Sequence, residues 1–143
     1  MLSPNYQASI MVVDDDAMVR DVIISYLKEM GMVNIVEAKN PAEGLKKIHD
    51  KSFPIDLILC DWEMPVVNGL TLLQAVRKSP HRKRTKFIMV TSQRSMERYK
   101  ISRAARWNVD SYIVKPFRQN LLKEKIWEVM HWKDEMEKKA SHG

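Results

Sequence analysis

The sequence predicts an α/β fold in which an open sheet of five parallel strands carries helices on both faces. Two observations lead to this class. Five short apolar runs rich in β-branched residues alternate strictly with stretches whose apolar residues recur at helical spacing. The runs are apolar enough to be buried, as strands of a parallel sheet covered by helices are. A chain of 143 residues without an internal repeat is typical of one domain.

The strands are predicted, in chain order, at SIMVV (9–13), VNIVEA (33–38), DLILC (56–60), KFIMV (86–90) and SYIV (111–114). The first helix follows strand one, where apolar residues repeat at helical spacing until Gly31 stops the helix. Asn40 is predicted to cap the second helix, because Pro41 then takes its first position and Glu43 lies three residues after the cap. A third helix is predicted after Gly69.

The fourth helix is predicted from about Met96 to Trp107. A last helix, capped by Asn120, is expected to run on to about Lys139. We therefore divide the chain into an N-terminal extension, a single domain and a tail that extends the last helix, at residues 1–8, 9–133 and 134–143.

Charge and composition restrict the function classes. The formal charge is +6, and the bases concentrate in residues 77–86 and 94–106. Such a surface can attract nucleic acid, but no nucleic-acid motif accompanies it, so solvated loops and helix faces are the favoured interpretation. No apolar run approaches the roughly 20 residues of a membrane span, and the start of the chain does not resemble a signal peptide. The single cysteine, Cys60, favours a cytoplasmic location.

Polar side chains follow four of the five predicted strands. The acids Asp14 and Asp15 follow strand one, Asp61 follows strand three, Thr91 follows strand four, and Lys115 follows strand five. Ligands of open parallel sheets bind outside the carboxyl ends of the strands, so these residues are expected to converge. Carboxylates that crowd together repel one another unless a cation joins them, and hard oxygen ligands suit Mg²⁺. An ionised aspartate beside a cation, an ammonium and a hydroxyl can accept a phosphoryl group.

The segments VVDDD, CDWEMP…NG, MVTS and YIVKPF together resemble the receiver domain of two-component response regulators, from about Ser9 to Met130. The chain is similar to the single-domain, chemotaxis-type receivers. The resemblance implies a doubly wound, flavodoxin-like (βα)5 fold. It also implies a phosphoacceptor signalling protein that catalyses only its own phosphorylation and dephosphorylation, and is not an enzyme in the usual sense.

The resemblance implies a role for each matching residue. Asp61 would accept the phosphoryl group from a phosphohistidine, carried by a sensor histidine kinase or a histidine phosphotransfer domain. Mg²⁺ would be held by Asp14, Asp15, Asp61 and the backbone carbonyl of Glu63. Lys115 would contact the phosphoryl group.

Further roles concern switching. Thr91 would hydrogen-bond the phosphoryl group, and Tyr112 would swing inward when Thr91 moves. Glu63 and Gln93 occupy the positions that tune dephosphorylation. Pro116 would follow a cis peptide bond, which a Lys-Pro sequence can adopt. Asn108 would take the left-handed backbone that many receivers give to glycine.

The resemblance also implies an output surface formed by the fourth helix, fifth strand and fifth helix. We expect this α4-β5-α5 face to carry Arg98, Arg103, Trp127 and Trp132 and to bind a partner with an acidic, amphipathic element. Two tryptophans five residues apart on one helix cannot easily both face the sheet, so one is expected to be exposed. A phosphorylation-dependent dimer could use the same face.

Other interpretations stay open at the level of sequence. The acids 14–16 could cap the first helix, and Asp16 is expected to do only that. An aspartate-nucleophile phosphatase would need an aspartate where Glu63 stands, and also a cap domain. A nucleic-acid-binding module would use the basic segments. A phosphorelay shuttle that passes its phosphoryl group to a histidine phosphotransfer domain has the same sequence features as an output regulator.

Overall fold

The computed structural model describes residues 2–92 and 103–134. In these residues the strands are β1 Ser9–Val13, β2 Asn34–Ala38, β3 Leu57–Asp61, β4 Lys86–Ser92 and β5 Ser111–Lys115. The helices are α1 Ala17–Glu29, α2 Pro41–His49, α3 Gly69–Lys78, a helical stretch at 103–106 called α4, and α5 Gln119–Met130, with a short 3₁₀ helix at Pro80–Arg82. The predicted residues 96–102 of the fourth helix lie outside the described residues.

The five strands form one parallel sheet in the order β2-β1-β3-β4-β5. Alternate residues of a strand point to opposite faces, and both faces of this sheet are covered. Ile10 and Val12 pack in one cluster with α1 and α5, whereas Met11 and Val13 pack in another with α2 and α3. The predicted doubly wound α/β fold is therefore confirmed.

Local signals act as the sequence predicts at the first two helices. Asp16 caps α1 by accepting hydrogen bonds from the backbone N–H groups of residues 18 and 19. Asn40 caps α2, and the side chain of Glu43 accepts a bond from the N–H of Lys39 at 2.7 Å. These side chains satisfy N–H groups that a helix leaves unpaired at its first turn. Asn108 adopts a φ of 56°, as expected.

The last helix departs from prediction at both ends. It begins at Gln119, so Asn120 lies inside it, and Arg118 at the cap makes no side-chain capping bond within the described residues. It ends at Met130 because His131 takes a left-handed conformation with φ 58° and ψ 38°. The expectation that the helix continues through residue 134 towards Lys139 is wrong, and residues 135–143 lie outside the described residues.

The chain reverses after α5 and pairs with its own N-terminal segment. The N–H of Leu2 donates to the carbonyl of His131 at 2.9 Å, and the N–H of Lys133 donates to the carbonyl of Leu2 at 2.8 Å. The ring of Tyr6 packs against Trp127, with 6.2 Å between centroids. The segment before β1 thus covers the end of α5.

This reversal buries both tryptophans of the predicted output face. Trp127 and Trp132 are each 6% exposed and meet edge to face at 5.2 Å between centroids. The expectation that one of them is exposed is wrong. It assumed a continuous helix, and the left-handed residue His131 instead turns Trp132 back towards the core.

Part of the basic segment at 77–86 is structural. Arg82 is 4% exposed and donates to backbone carbonyls at the end of α2, those of Lys47, Ile48 and Asp50. Arg77 donates to the carbonyl of Thr85 and pairs with Asp110 at 2.8 Å. These two arginines hold loops together by binding chain carbonyls. In the part of the chain described, no helix has the length and apolar character needed to cross a membrane.

Candidate functional site

The carboxyl ends of β1 and β3 bring three carboxylates together. The two strands are neighbours, and Val13 is paired with Cys60, so the residues that follow meet at one edge of the sheet. One oxygen from each of Asp14, Asp15 and Asp61 lies within 4.8 Å of the others. Asp14 and Asp61 are buried, at 1% and 6% exposure, whereas Asp15 is exposed. The site is thus a cleft with a buried floor and an open rim.

Lys115 reaches this cluster from the end of β5. Its Nζ lies 3.1 Å from Oδ2 of Asp14 and 3.3 Å from Oδ1 of Asp61. The peptide bond between Lys115 and Pro116 is cis, as the resemblance to receiver domains implies. One ammonium therefore faces two of three clustered carboxylates, and the site keeps an excess of negative charge.

The ionisation of Asp61 is shifted by this environment. The pKa of its carboxyl rises from 3.8 to about 6, because burial and, to a smaller extent, the nearby charge of Asp14 outweigh the opposing attraction of Lys115. The N–H of Glu63 donates to the carboxylate and also favours its ionised form. Burial disfavours the ammonium of Lys115, but Asp61 and Asp14 outweigh it and raise the lysine pKa. The pKa of Asp61 and that of Lys115 thus each depend on the charges of the neighbouring groups.

Thr91 lies at the end of β4, between β3 and β5. It is 1% exposed, and within residues 2–92 and 103–134 its Oγ1 has no hydrogen-bond partner. A buried hydroxyl without a partner is costly, which makes it ready to bind an acceptor that enters the site. Tyr112 lies on the adjacent strand β5, half-buried, in the cluster that contains Trp107 and Val109.

The loop between β3 and α3 closes tightly over the acceptor strand. The N–H of Gly69 donates to the carbonyl of Trp62 at 2.8 Å. A Cβ atom at Gly69 would overlap the backbone carbonyl of Asp61. Only glycine fits there, which gives a structural reason for the glycine predicted at the start of the third helix.

Arg20 is a residue that sequence reasoning missed. It lies on the buried face of α1 with Ile23 and Leu27, and it is 6% exposed. Its guanidinium donates to the backbone carbonyl of Asp14 and to the carboxylate of Glu37 on β2. The signal was present in the sequence, because an arginine three and seven residues before apolar core positions indicates a buried partner.

Other predicted site residues have separate outcomes. Gln93 and Arg98 lie outside the described residues. Glu63 is exposed beside Asp61, and its carbonyl as a metal ligand stays a prediction. Arg103 is exposed at α4. The structure therefore brings together Asp14, Asp15, Asp61 and Lys115, and it removes Trp127 and Trp132 from any exposed face.

A parallel doubly wound sheet with an acidic cleft and a lysine at its carboxyl edge defines the receiver class. The family model described as response regulator receiver domain matches residues 10–127. The chemotaxis protein CheY of Pseudomonas aeruginosa is 38% identical over 117 residues, which cover 82% of this chain and 91% of that protein. The chemotaxis protein CheY1 of Helicobacter pylori is 33% identical over 125 residues, covering 87% and 98%.

Solved structures agree. A CheY-like response regulator receiver domain protein from Methanospirillum hungatei has a TM-score of 0.78 and 30% identity, covering 87% of this chain and 94% of that chain. The chemotaxis response regulator CheY4 of Vibrio cholerae has a TM-score of 0.75 and 27% identity, covering 86% and 98%. The chain belongs to the response regulator receiver family, whose members are signalling proteins of two-component systems rather than classical enzymes.

Proposed function

We propose that this chain is a chemotaxis-type receiver that accepts a phosphoryl group on Asp61 with Mg²⁺, in the cytoplasm. The donor is the phosphohistidine of a sensor histidine kinase or of a histidine phosphotransfer domain. The phosphorylated chain then binds an output protein through the α4-β5-α5 face. One observation carries the proposal: a buried aspartate lies beside two further carboxylates and a lysine, near a buried threonine hydroxyl without a partner in the described residues.

The donor set fits Mg²⁺. Three carboxylate oxygens within 4.8 Å of one another are hard ligands, and the exposed Asp15 leaves room for waters, which this ion retains in protein sites. The single ammonium of Lys115 leaves negative charge uncompensated. Asp14, Asp15 and Asp61 would hold the ion, with the carbonyl of Glu63 as a further ligand. Bound there, the ion would offset the charge on the phosphoryl oxygens.

The chemistry of the chain's own residues follows from their positions. A carboxylate oxygen of Asp61 attacks phosphorus, and the bond between phosphorus and the histidine nitrogen breaks. The electron pair leaves with the imidazole, which is neutral once its other nitrogen carries the proton. Lys115, already 3.3 Å from Asp61, pairs with the transferred group, and Thr91 donates its hydroxyl hydrogen to it.

The output side of the proposal rests on the strands that carry Thr91 and Tyr112. Thr91 is paired with Val114 on β5, two residues from Tyr112, so a shift of β4 at the site reaches the half-buried ring of Tyr112. Arg103 presents positive charge at α4 for an acidic partner. The buried tryptophans are no longer part of the proposed face.

The test is the intact mass of the protein after incubation with MgCl₂ and acetyl phosphate. We expect one added phosphoryl group on the wild type and none on Asp61→Asn, or on either protein when EDTA replaces the metal. Asp16→Asn is the matched control, because it changes the neighbouring carboxylate, which caps α1, to another good cap. It should be phosphorylated as the wild type is.

Phosphorylation of Asp61→Asn to the same extent would overturn the assignment of the acceptor. Absence of any added group on the wild type would be checked with beryllofluoride, a stable mimic of the phosphoryl group. If beryllofluoride and Mg²⁺ together leave the thermal stability of the wild type unchanged, the phosphoacceptor proposal is wrong.

A further inference from the structure

Arg20 makes two directed contacts beside the acidic cluster. Its side chain is 7% exposed, and Nη1 donates to the backbone carbonyl of Asp14 at 2.7 Å. Nε donates to Oε1 of Glu37 on the edge strand β2 at 3.0 Å. A guanidinium holds its donors in a rigid plane, so one that binds two acceptors in different directions fixes their positions relative to each other. Arg20 thus ties the loop after β1 to the neighbouring strand.

Asp14 is bound at each of its polar groups. Its N–H donates to the carbonyl of Ala38, and its carbonyl accepts a bond from Arg20. In the side chain, Oδ1 accepts from the N–H of Asp16 and Oδ2 accepts from Lys115. The carbonyl of Asp14 and the N–H of Asp15 belong to the same planar peptide unit. The bond from Arg20 therefore holds the plane from which the side chain of Asp15 projects into the cleft.

We propose that Arg20 is a positioning residue: through the carbonyl of Asp14 it orients Asp15 and so sets the carboxylate geometry that binds the divalent cation. This inference rests on the proposed function, because it takes Asp15 as a ligand of that cation. Arg20 acts through the backbone, and in the contacts described above its side chain touches no carboxylate oxygen of Asp14, Asp15 or Asp61.

The charge of Arg20 and its positioning role predict opposite effects on Mg²⁺ affinity when this residue is removed. A guanidinium near a cation site repels the cation, so removing it would tighten Mg²⁺ binding if charge were the dominant effect. Removing it frees the peptide plane and lets Asp15 leave its position, so binding would weaken if positioning were dominant. Supporting groups of this kind change metal affinity by roughly 10- to 100-fold in other proteins.

The test is a calorimetric titration of the full chain with MgCl₂, without a phosphodonor. We expect Arg20→Met to raise the dissociation constant for Mg²⁺ roughly tenfold, as the loss of such supporting groups does in other proteins. Arg20→Lys keeps the charge and one hydrogen bond but not the rigid fork, so we expect partial recovery. Phosphorylation of Asp61 at saturating Mg²⁺ should remain, because the acceptor and Lys115 are unchanged.

Arg82→Met is the matched control. Arg82 is equally buried and also binds backbone carbonyls, but these belong to Lys47, Ile48 and Asp50 at the end of α2. Its loss should lower thermal stability and leave the Mg²⁺ dissociation constant unchanged. An equal weakening in Arg82→Met would mean that general loosening causes the effect, and it would overturn the inference.

Unchanged or tighter Mg²⁺ binding by a folded Arg20→Met protein would also overturn it. If that variant does not fold, Glu37→Met replaces it, because the side chain of Glu37 is 41% exposed and anchors only Nε. We expect Glu37→Met to weaken Mg²⁺ binding less than Arg20→Met does. An unchanged Mg²⁺ dissociation constant in Glu37→Met would count against the inference. Failure of the wild type to bind Mg²⁺ would defeat the proposed function itself, whereas normal phosphorylation with unchanged affinity in Arg20→Met would defeat only this inference.

Discussion

Replacing Asp61 with asparagine should stabilise the protein in the absence of Mg²⁺. Asparagine is close in shape to the protonated aspartic acid and carries no charge. In the folded protein, burial raises the pKa of Asp61 from 3.8 to about 6, against the attraction of Lys115. Above pH 6 the wild type therefore keeps a carboxylate in a place that disfavours its charge, and the variant removes this cost. Lys115 retains its ion pair with Asp14 in the variant.

The magnitude follows from the two pKa values. A rise from 3.8 to about 6, at 1.36 kcal/mol for each tenfold change in ionisation constant, corresponds to about 3 kcal/mol in the free energy of unfolding. Below pH 3.8 the carboxyl is protonated in both folded and unfolded chains, so the difference vanishes. The difference grows as the pH rises from 3.8 to about 6 and stays constant above that range. For a chain of this size, 3 kcal/mol raises the Tm by roughly 10 °C.

The assay is thermal unfolding followed by circular dichroism in EDTA, at pH 7.5, 6 and 4. Asp61→Asn should have the higher Tm at pH 7.5, with the gap closing towards pH 4. Asp16→Asn, which alters an exposed carboxylate that caps α1, should show no such trend. An Asp61→Asn protein that is no more stable than the wild type at pH 7.5, or a difference in Tm that does not change with pH, would show that the buried carboxylate carries no such cost.

Two further predictions concern packing. Gly69→Ala should destabilise the protein by about 1–3 kcal/mol in urea unfolding and reduce phosphorylation, because the new methyl group overlaps the backbone of Asp61. Gly44→Ala is its comparison, since the added carbon meets a flexible side-chain methyl, and an equal loss in both would contradict the explanation. Trp132→Ala should cost about 3–5 kcal/mol because the ring is 6% exposed, whereas Lys133→Ala should be nearly neutral. A small loss at Trp132 would show that the chain reversal after α5 contributes little to stability.

The local patterns were sufficient for most of the fold. The strand predicted at residues 9–13 matches β1, and the cap predicted at Asn40 is observed, where its side chain accepts a bond from the N–H of Glu43. Such features depend on residues close in sequence, so they can be inferred from periodicity and capping chemistry. The failure at α5 has the opposite cause. His131 adopts a conformation that its sequence neighbourhood does not demand, and pairing with Leu2 accompanies it.

The candidate site divides in the same way. Asp14, Asp15, Asp61 and Lys115 could be identified because each follows a predicted strand, and the carboxyl ends of parallel strands meet at one edge. The burial of Arg20 could be inferred from its place on the apolar stripe of α1, but its partners could not, because they lie on other segments of the chain. The burial of the two tryptophans likewise depends on a segment more than a hundred residues away in the chain.

The class of fold, the order of its elements and the chemical groups gathered at the strand ends could all be predicted from the sequence. Those properties follow from apolar periodicity and from the rule that parallel strands present their carboxyl ends together. The raised pKa of Asp61, the anchoring of Asp14 by Arg20 and the burial of Trp127 could be seen only in the folded structure. Each of these depends on burial and on contacts between distant segments, and such contacts exist only once the chain has folded.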